Sequence, residues 1–284
     1  MATFYNRATL SYAGISKSSN IVSGEIRDVL KITKTAVSAN YKAGGKVTYV
    51  ISIVNSGTTD IANITLTDDL GGYTVGTNLV YPLTYVPLTL LYYVNGTLQT
   101  SPTPQTAAPL TVTGITVPAG SNVTLVYNAV ANEYAPLEVG GFITNEVRAT
   151  APTLTNPVFA TETVCANNGI DLSISKSVSP ASVPENGQIT YTFIIQNMGN
   201  TATAAGDNVI VSDTFDPPLS NITVTLDGQT LAPNTQYSYN ETTGVFATAA
   251  NVLSVPAATY TQDAATGAYT TTPGVSILTV TGTI

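Results

Sequence analysis

The sequence predicts an all-β fold made of two tandem sandwich domains, and three observations lead to this prediction. The chain of 284 residues is long enough for two domains of ordinary size. Short alternating runs, rich in Thr, Val and Tyr, are separated by Gly, Pro and Asn, as in strands joined by turns. Much of the first half of the sequence recurs in the second half, and neither half shows a convincing long amphipathic helix.

The repeat defines the domain boundaries. Its parts match in the same order, with a short insertion near Gly206 and a hairpin-like insertion whose tip lies at residues 263–267. The matching pairs are 30–37 with 172–179, 47–55 with 189–197, 64–68 with 209–213, and 122–130 with 275–284. Domain one therefore covers residues 29–164, a Gly- and Asn-rich linker covers 165–169, and domain two covers 170–284.

Domain two lacks a counterpart of residues 142–164, which close domain one. The N-terminal segment 1–28 carries a similar sequence, and we expect no preceding domain for it to close. A strand without a domain and a domain without a strand predict head-to-tail polymerisation by donor-strand complementation. The inward face of the donor strand consists of Phe4, Asn6, Ala8, Leu10 and Tyr12, and Asn6 aligns with Asn145.

Charge and hydropathy argue against nucleic acid and membrane partners. The net charge is −8 and the pI is near 4.3, so no basic surface is expected to neutralise phosphates. No apolar run approaches the length of a membrane span, and the N-terminus has no recognisable signal peptide. The protein therefore either loses a signal before it matures or leaves by another route, such as deposition on a spore by the mother cell.

The residue types exclude most catalytic machinery. With one cysteine, Cys165, and no histidine, the chain offers no intrachain disulfide, no metal cluster and no nucleophile–base pair of the usual kind. We therefore expect no metal, no cofactor and no enzymatic turnover. Cys165 lies in the linker, where it either cross-links neighbouring subunits or is a spectator thiol.

The ordered motifs resemble a known family. A strand with Lys34, the Tyr49 to Gly57 segment, Asp68 at a strand end and a strand with Asn145 follow one another, and the second copy repeats them with Lys176, the Tyr191 to Gly199 segment and Asp213. This pattern is similar to the conserved repeat domain of Gram-positive bacterial surface proteins, related to isopeptide-forming domains of pilins and adhesins. The resemblance implies immunoglobulin-like sandwiches that build stalks or fibres.

Strand alternation places the polar motif residues on the core side. Lys34 shares a face with Leu30 and Ile32, and the same parity turns Asp68 and Asn145 inward. In domain two it turns Lys176 and Asp213 inward, and the donor strand would add Asn6. Two explanations stay open, since a buried lysine needs a partner. One is an ion pair capped by the Asn amide, and the other, which the resemblance favours, is a Lys–Asn isopeptide bond.

The isopeptide explanation gives each residue a role. Desolvation lowers the pKa of the lysine and raises that of the aspartic acid, so a neutral amine can attack the Asn carboxamide while a protonated Asp polarises its carbonyl. Asp68 would promote a bond between Lys34 and Asn145. Asp213 would promote one between Lys176 and Asn6 of a neighbouring subunit.

Two functions from different classes remain. The first is a structural subunit of an extracellular or spore-surface filament, a fimbria-like bacterial appendage whose partner is another copy of itself. The second is an adhesin stalk or ligand-binding module, and the sequence does not identify a host or matrix ligand. Any chemistry is a single-turnover self-cross-link, because no nucleophile elbow or cofactor loop is present.

Overall fold

The computed structural model describes residues 2–26 and 29–284, with side chains described except at positions 1–3 and 25–28. Across these residues the fold is all-β, as the sequence predicts, with a short 3₁₀ helix at Ala205–Asp207. No helix in the described residues is long and apolar enough to cross a membrane.

The chain begins with an exposed hairpin, here called the N-terminal hairpin. Its strands are β1 (Ala2–Asn6), β2 (Thr9–Tyr12), β3 (Ile15–Ser18) and β4 (Val22–Ile26). β1 pairs with β4 and β2 with β3, and between them the amide of Ser19 donates to the carbonyl of Ala8 at 2.8 Å. Ala13 and Gly14 at the tip have φ of 50° and 79°, as a two-residue turn that matches strand twist requires.

The next part of the chain forms two facing sheets. One sheet has the order β13-β12-β16-β7-β5, with β11 also paired to β16, and the other has the order β14-β15-β8-β17-β18-β6. The strands are β5 (Leu30–Ala36), β6 (Asn40–Tyr41), β7 (Lys46–Asn55), β8 (Ile61–Asp68), β9 (Tyr73–Val75), β10 (Asn78–Val80), β11 (Leu83–Tyr85), β12 (Leu91–Val94), β13 (Thr97–Gln99), β14 (Thr106–Ala107), β15 (Leu110–Val117), β16 (Asn122–Ala131), β17 (Phe142–Thr150) and β18 (Val158–Ala166).

Side chains from these two sheets meet in a hydrophobic core that extends from Leu30 to Ala166, here called the first core. Its strands show a period of two, since successive side chains point to opposite faces of a sheet. At its centre Tyr49 of β7 pairs with Tyr127 of β16, and their rings stack with centroids 5.5 Å apart.

Strand β18 extends further than the sequence analysis expected. Cys165 and Ala166, which were assigned to the linker, continue the strand because they pair in parallel with Asn40 and Tyr41 of β6. Cys165 is an exposed free thiol at the end of this strand. Its position follows from backbone pairing between distant segments, which composition does not reveal.

The rest of the chain builds a second set of sheets around a second core, which extends from Ile189 to Val280. One sheet has the order β19-β20-β28-β22-β23, and a smaller one has the order β21-β25-β24. The strands are β19 (Leu172–Ser179), β20 (Gln188–Asn197), β21 (Ser212–Thr214), β22 (Ser220–Leu226), β23 (Gln229–Thr230), β24 (Tyr237–Tyr239), β25 (Val245–Thr248), β26 (Thr259–Gln262), β27 (Tyr269–Thr272) and β28 (Gly274–Thr283).

The hairpin of β26 and β27, here called the bridging hairpin, joins the two parts of the fold. Its tip spans the insertion predicted at residues 263–267. The amide of Tyr269 donates to the carbonyl of Glu133 at 2.7 Å, and the side chain of Asn78 donates to the carbonyl of Ala265 at 2.7 Å. Gln262 Nε2 also donates to the hydroxyl of Tyr73 at 2.9 Å. The hairpin therefore contacts segments that flank the first core.

Candidate functional site

Lys34 lies inside the first core. It stands on β5 between buried Ile32 and half-buried Ala36, and its side chain has no exposed surface. Its Nζ lies 2.7 Å from Oδ2 of Asp68 and 4.8 Å from the centroid of the Tyr49 ring. The lysine is therefore held by one carboxylate and one aromatic face, which together offset part of the cost of burying its charge.

Asp68 ends strand β8 on the sheet that faces Lys34. Its Oδ2 accepts hydrogen bonds from Lys34 Nζ and from the Tyr127 hydroxyl, both at 2.7 Å. Its Oδ1 accepts one from the amide of Leu70 at 3.1 Å. The carboxylate thus has three donors inside the core, as a buried charge requires.

Asn145 is fully buried on β17, which pairs with β8 so that Val147 stands opposite Asp68. Its Nδ2 donates to the hydroxyl of Tyr127 at 3.2 Å. Among the described residues, Asn145 Oδ1 and Tyr49 Oη are buried side-chain atoms without a hydrogen-bond partner. The two atoms are neighbours, since desolvation raises the pKa of Tyr49 and interaction with the Asn145 side chain opposes that rise.

Burial dominates the electrostatics of the cluster. Desolvation lowers the pKa of Lys34, against the opposing attraction of Asp68. Desolvation also raises the pKa of Tyr127 well above its usual range, and the Asp68 charge adds to the effect. A lowered lysine pKa brings its neutral, nucleophilic form closer to physiological pH, while Tyr127 keeps its proton.

The structure brings Lys34, Asp68 and Asn145 into one buried cluster and adds residues that sequence reasoning missed. Tyr127 bonds to both Asp68 and Asn145, and Tyr49 stacks against it. The alternation of β16, where Tyr127 shares a face with Val123 and Leu125, places it inward and could have indicated it. Its pairing with Asp68 could not be read from the sequence, since the two lie on opposite sheets.

The second copy of the motif is open to solvent. Lys176 Nζ makes an ion pair with Asp213, but 40% of the lysine side chain is exposed. The inward position expected from strand parity is therefore only partly realised. Its Nζ lies 4.6 Å from the centroid of the Tyr191 ring, as Lys34 does from Tyr49. At the position of Tyr127 the second copy has Val280, which pairs with Tyr191 across the sheet.

The surface around Lys176 is the clearest difference between the two copies. In β5, Ile32 is 5% exposed, whereas its counterpart Ile174 in β19 is 57% exposed. Leu172 and Val178 on the same strand are also exposed. Strand β18 packs over β5, and its residue Glu162 accepts a hydrogen bond from the amide of Ala36 at 3.2 Å. Nothing in the described second half takes the place of β17 and β18 over β19.

The small sheet of the second half is open at the matching edge. Strand β8 is paired on one side with β15 and on the other with β17. Its counterpart β21 is paired with β25, and no other described strand pairs with it. The exposed face of β19 and this open edge of β21, with Lys176 and Asp213 between them, are here called the acceptor groove.

The predicted donor residues lie on the N-terminal hairpin, which is exposed throughout its described side chains. They are Phe4, Asn6, Ala8, Leu10 and Tyr12. Their exposed fractions include 52% for Phe4 and 65% for Leu10, which is unusual for large apolar residues along one strand face. Within the described residues the backbone pairing of this hairpin is internal, so the chain does not place Asn6 beside its own Lys176.

No group of three or more His, Cys, Asp or Glu side chains in the described ranges could hold a metal ion. The polar cluster of the first core contains a single carboxylate, Asp68, which is already bonded to Lys34, Tyr127 and the Leu70 amide. The arrangement is suited to acyl chemistry between side chains.

Comparison with known proteins finds similarity in structure. No protein-family model matches the chain, and no curated protein matches it. The major pilin subunit of Bacillus cereus is similar over 96% of this chain and 73% of its own, with 11% identity and a TM-score of 0.36. The pilus backbone protein of Streptococcus pneumoniae is similar over 86% of this chain and 55% of its own, with 13% identity and a TM-score of 0.34.

An enzyme is also among the similar structures. A family 123 glycoside hydrolase from Clostridium perfringens matches 48% of this chain with 12% identity and a TM-score of 0.28, and the chain spans only 28% of that protein. At such low identities and TM-scores these likenesses carry no functional inference.

Proposed function

We propose that this protein is a structural subunit of an extracellular or spore-surface filament and that it polymerises head to tail by strand donation. One observation carries the proposal: β19 exposes the same apolar face that its counterpart β5 buries under a hairpin. The N-terminal hairpin of another copy has the length, the apolar face and the asparagine needed to cover it. The donated hairpin would take the place that β17 and β18 hold over the first core.

Chain length favours donation to a neighbour over closure within one chain. In the hairpin Asn6 stands opposite Val22, and β5 begins at Leu30. The chain from Val22 to Leu30 spans at most about 29 Å. Strand β7 alone is about 33 Å long, so Asn6 would have to be carried past the whole first core to reach Lys176. Donation to another copy needs no such path, and it propagates because it does not close on itself.

Apolar burial supplies the driving force for each joint. Burying large donor side chains such as Phe4, Leu10 and Tyr12 contributes roughly 5–9 kcal/mol gross, at about 1.5–3 kcal/mol per side chain. Pairing with the open edge of β21 adds backbone hydrogen bonds, as in other strand additions. Because the hairpin is already paired in the free subunit, less conformational entropy remains to be lost on docking.

The cross-link is the second part of the proposal. In the first core Lys34 would join Asn145, and at each joint Lys176 would join Asn6 of the donor. The lowered pKa of Lys34, which favours its neutral and nucleophilic form, and the position of Asn145 in the same buried cluster support the bond. Each bond forms once and releases ammonia, so this activity is a self-modification without turnover.

Negative-stain electron microscopy of the purified protein tests the polymer. We expect filaments from the full chain and monomers from a variant that lacks residues 2–22. The variant should keep the thermal transition of the first core, because β17 and β18 already close it. Filaments of unchanged length and number from the deletion variant would refute strand donation.

A binding module is the second candidate. A cleft of about 460 Å³ lies beside the bridging hairpin, with Tyr73, Phe142 and Tyr269 among its aromatic walls and Glu138 as its charged group. Concave sites with aromatic walls and few polar groups are typical of ligand pockets. An adhesin module would stay monomeric at concentrations where a filament subunit assembles, so the same micrographs separate the two functions.

A further inference from the structure

Tyr127 occupies a position that the cross-linking chemistry requires and that Lys34, Asp68 and Asn145 do not fill. When an amine replaces the nitrogen of a carboxamide, that nitrogen must leave as ammonia and needs one additional proton. In the structure the only side-chain hydroxyl bonded to Asn145 Nδ2 within the described residues belongs to Tyr127, at 3.2 Å. The same hydroxyl lies 2.7 Å from Asp68 Oδ2, which also contacts Lys34.

We propose that Tyr127 is a catalytic residue of this self-cross-linking reaction and carries a proton from Asp68 to the leaving nitrogen of Asn145. This inference rests on the isopeptide bond proposed above. It extends that proposal by assigning a role to a residue on the opposite sheet.

The reaction conserves protons and electron pairs. Lys34 gives a proton to Asp68, and its lone pair attacks Cγ of Asn145, so that the carbonyl electrons move to Oδ1. Tyr127 then protonates Nδ2 and is reprotonated by Asp68. The C–N bond breaks, ammonia leaves and the carbonyl re-forms. The new amide nitrogen returns its surplus proton to Asp68, which ends neutral, as the original Lys–Asp pair was neutral in sum.

Two features of the site fit this role. Burial and the neighbouring Asp68 raise the pKa of Tyr127, so the phenol holds its proton until an acceptor forms beside it. The hydroxyl is also fixed, because its ring is fully buried and stacked on Tyr49. A general acid held at hydrogen-bond distance from the leaving atom typically contributes about 10²–10⁴-fold to a rate.

The second copy provides an internal contrast. Its lysine, aspartate and first tyrosine are present as Lys176, Asp213 and Tyr191, but Val280 stands where Tyr127 stands in the first core. The joint between subunits would therefore close without this acid, and more slowly than the bond inside the first core. Slow closure would let a misdocked donor dissociate before the joint becomes permanent.

The test is a pulse–chase measurement on the full chain made by cell-free synthesis. Tryptic peptide mapping follows the appearance of the linked peptides that contain Lys34 and Asn145. We expect Tyr127→Phe to slow this bond by about 100-fold. Tyr85→Phe is the matched control, because Tyr85 is also buried against Tyr127 but its hydroxyl lies outside the Lys34–Asp68–Asn145 network, and it should close at the wild-type rate.

A second variant separates chemistry from folding. Installing 3-fluorotyrosine at Tyr127 keeps the size of the ring and makes the hydroxyl more acidic, so the bond should form several-fold faster with an unchanged melting temperature. An unchanged rate with fluorotyrosine, or wild-type closure in a folded Tyr127→Phe, would overturn the proposal. Absence of the bond in the wild-type chain would overturn it as well, while filaments in the same preparation would leave strand donation intact.

Discussion

Lys34, whose side chain has no exposed surface, is the residue on which the proposed cross-linking chemistry depends. The core places Lys34 against the carboxylate of Asp68 and the face of the Tyr49 ring. Replacing a buried ion pair with well-packed apolar residues often leaves the stability of a protein unchanged. The Lys34–Asp68 ion pair alone is therefore weak evidence that the cluster exists to stabilise the fold. Asn145, whose Oδ1 has no hydrogen-bond partner among the described residues, belongs to the same cluster and is the proposed target of the amine.

The role of Asp68 can be tested by removal. In Asp68→Ala the Lys34 amine loses its proton acceptor, so the Lys34–Asn145 bond should not form. The intact mass should then equal the mass calculated from the variant's own sequence, whereas the wild-type protein should fall below its calculated mass by one ammonia for each bond. Loss of the partner of a buried charge should also lower the free energy of unfolding by about 3–5 kcal/mol. Mass spectrometry and thermal unfolding measure the two effects.

Glu241→Ala serves as the control for Asp68→Ala, because Glu241 is an exposed carboxylate in the second half of the chain. It should keep both the mass deficit and the stability of the wild type. An unmodified mass in the folded wild-type protein would leave the capped ion pair as the explanation of the cluster.

At the scale of elements, two hairpins of similar sequence differ in burial. β17 packs on the first core with Ile143, Asn145 and Val147 facing inward, and β18 adds the buried Val164 and Ala166. The N-terminal hairpin has the same alternation, but its apolar side chains are exposed. The structure therefore contains one hairpin packed on a core and one exposed hairpin of similar sequence.

A single charged residue on the apolar donor face should strongly weaken assembly of the subunits. Leu10→Asp places a carboxylate in the acceptor groove and removes about 1.5–3 kcal/mol of apolar burial, which alone weakens the joint roughly 10–100-fold. Sedimentation of the assembled fraction against protein concentration measures the loss. Leu98→Asp on β13 is the control, because Leu98 is a similarly exposed leucine on a strand far in sequence from the hairpin. Equal assembly of both variants would show that Leu10 is not buried at the joint.

The bridging hairpin leads to a prediction about the radius of gyration of the chain. Asn78 and Gln262 donate hydrogen bonds that tie β26 and β27 to the first half of the fold. The double variant Asn78→Ala, Gln262→Ala should loosen the two cores, since inter-domain contacts within a chain are otherwise free to move. Small-angle scattering should show a larger radius of gyration, whereas the exposed Thr261→Ala should leave it unchanged. The same radius in both variants would mean that backbone contacts such as Tyr269 to Glu133 suffice.

At the scale of the whole molecule, the proposed donor and acceptor surfaces differ, so each subunit of the proposed filament would use two unlike contact surfaces. A contact between unlike surfaces extends without limit unless geometry closes a ring. Covalent closure would convert this non-covalent chain into a filament that resists dissociation. The proposed bond at the joint would depend on Asn6, which carries the side-chain amide of the proposed donor face.

Asn6→Ala should allow filaments to assemble but prevent the covalent bond between neighbouring subunits. The variant keeps the apolar donor face and should form filaments, but boiling in detergent should reduce them to monomers. The wild type should instead run as a ladder on a denaturing gel. Asn20→Ala, also exposed on the N-terminal hairpin, is the control and should keep the ladder. A ladder that survives Asn6→Ala would assign the covalent joint to another residue.

Much of this could be predicted from the sequence because it depends on local periodicity. Alternation within single strands predicted an all-β chain and indicated which face Lys34, Asp68 and Asn145 occupy. Repetition located the segment that the second half lacks. The sequence analysis ended domain one at residue 164, two residues before β18 ends. Cys165 and Ala166 continue the strand because they pair with Asn40 and Tyr41, more than a hundred residues earlier in the chain.

The sequence by itself determined the strands, the repeat and the inward parity of the polar residues, since these follow from the two-residue period of a strand. Only the tertiary structure decided which groups meet across the sheets. It placed Tyr127 of one sheet between Asp68 and Asn145 of the other, and it exposed Lys176 where parity alone predicted burial. The physical reason is that burial depends on what covers a face, and the covering hairpin is present over β5 and absent among the described residues over β19.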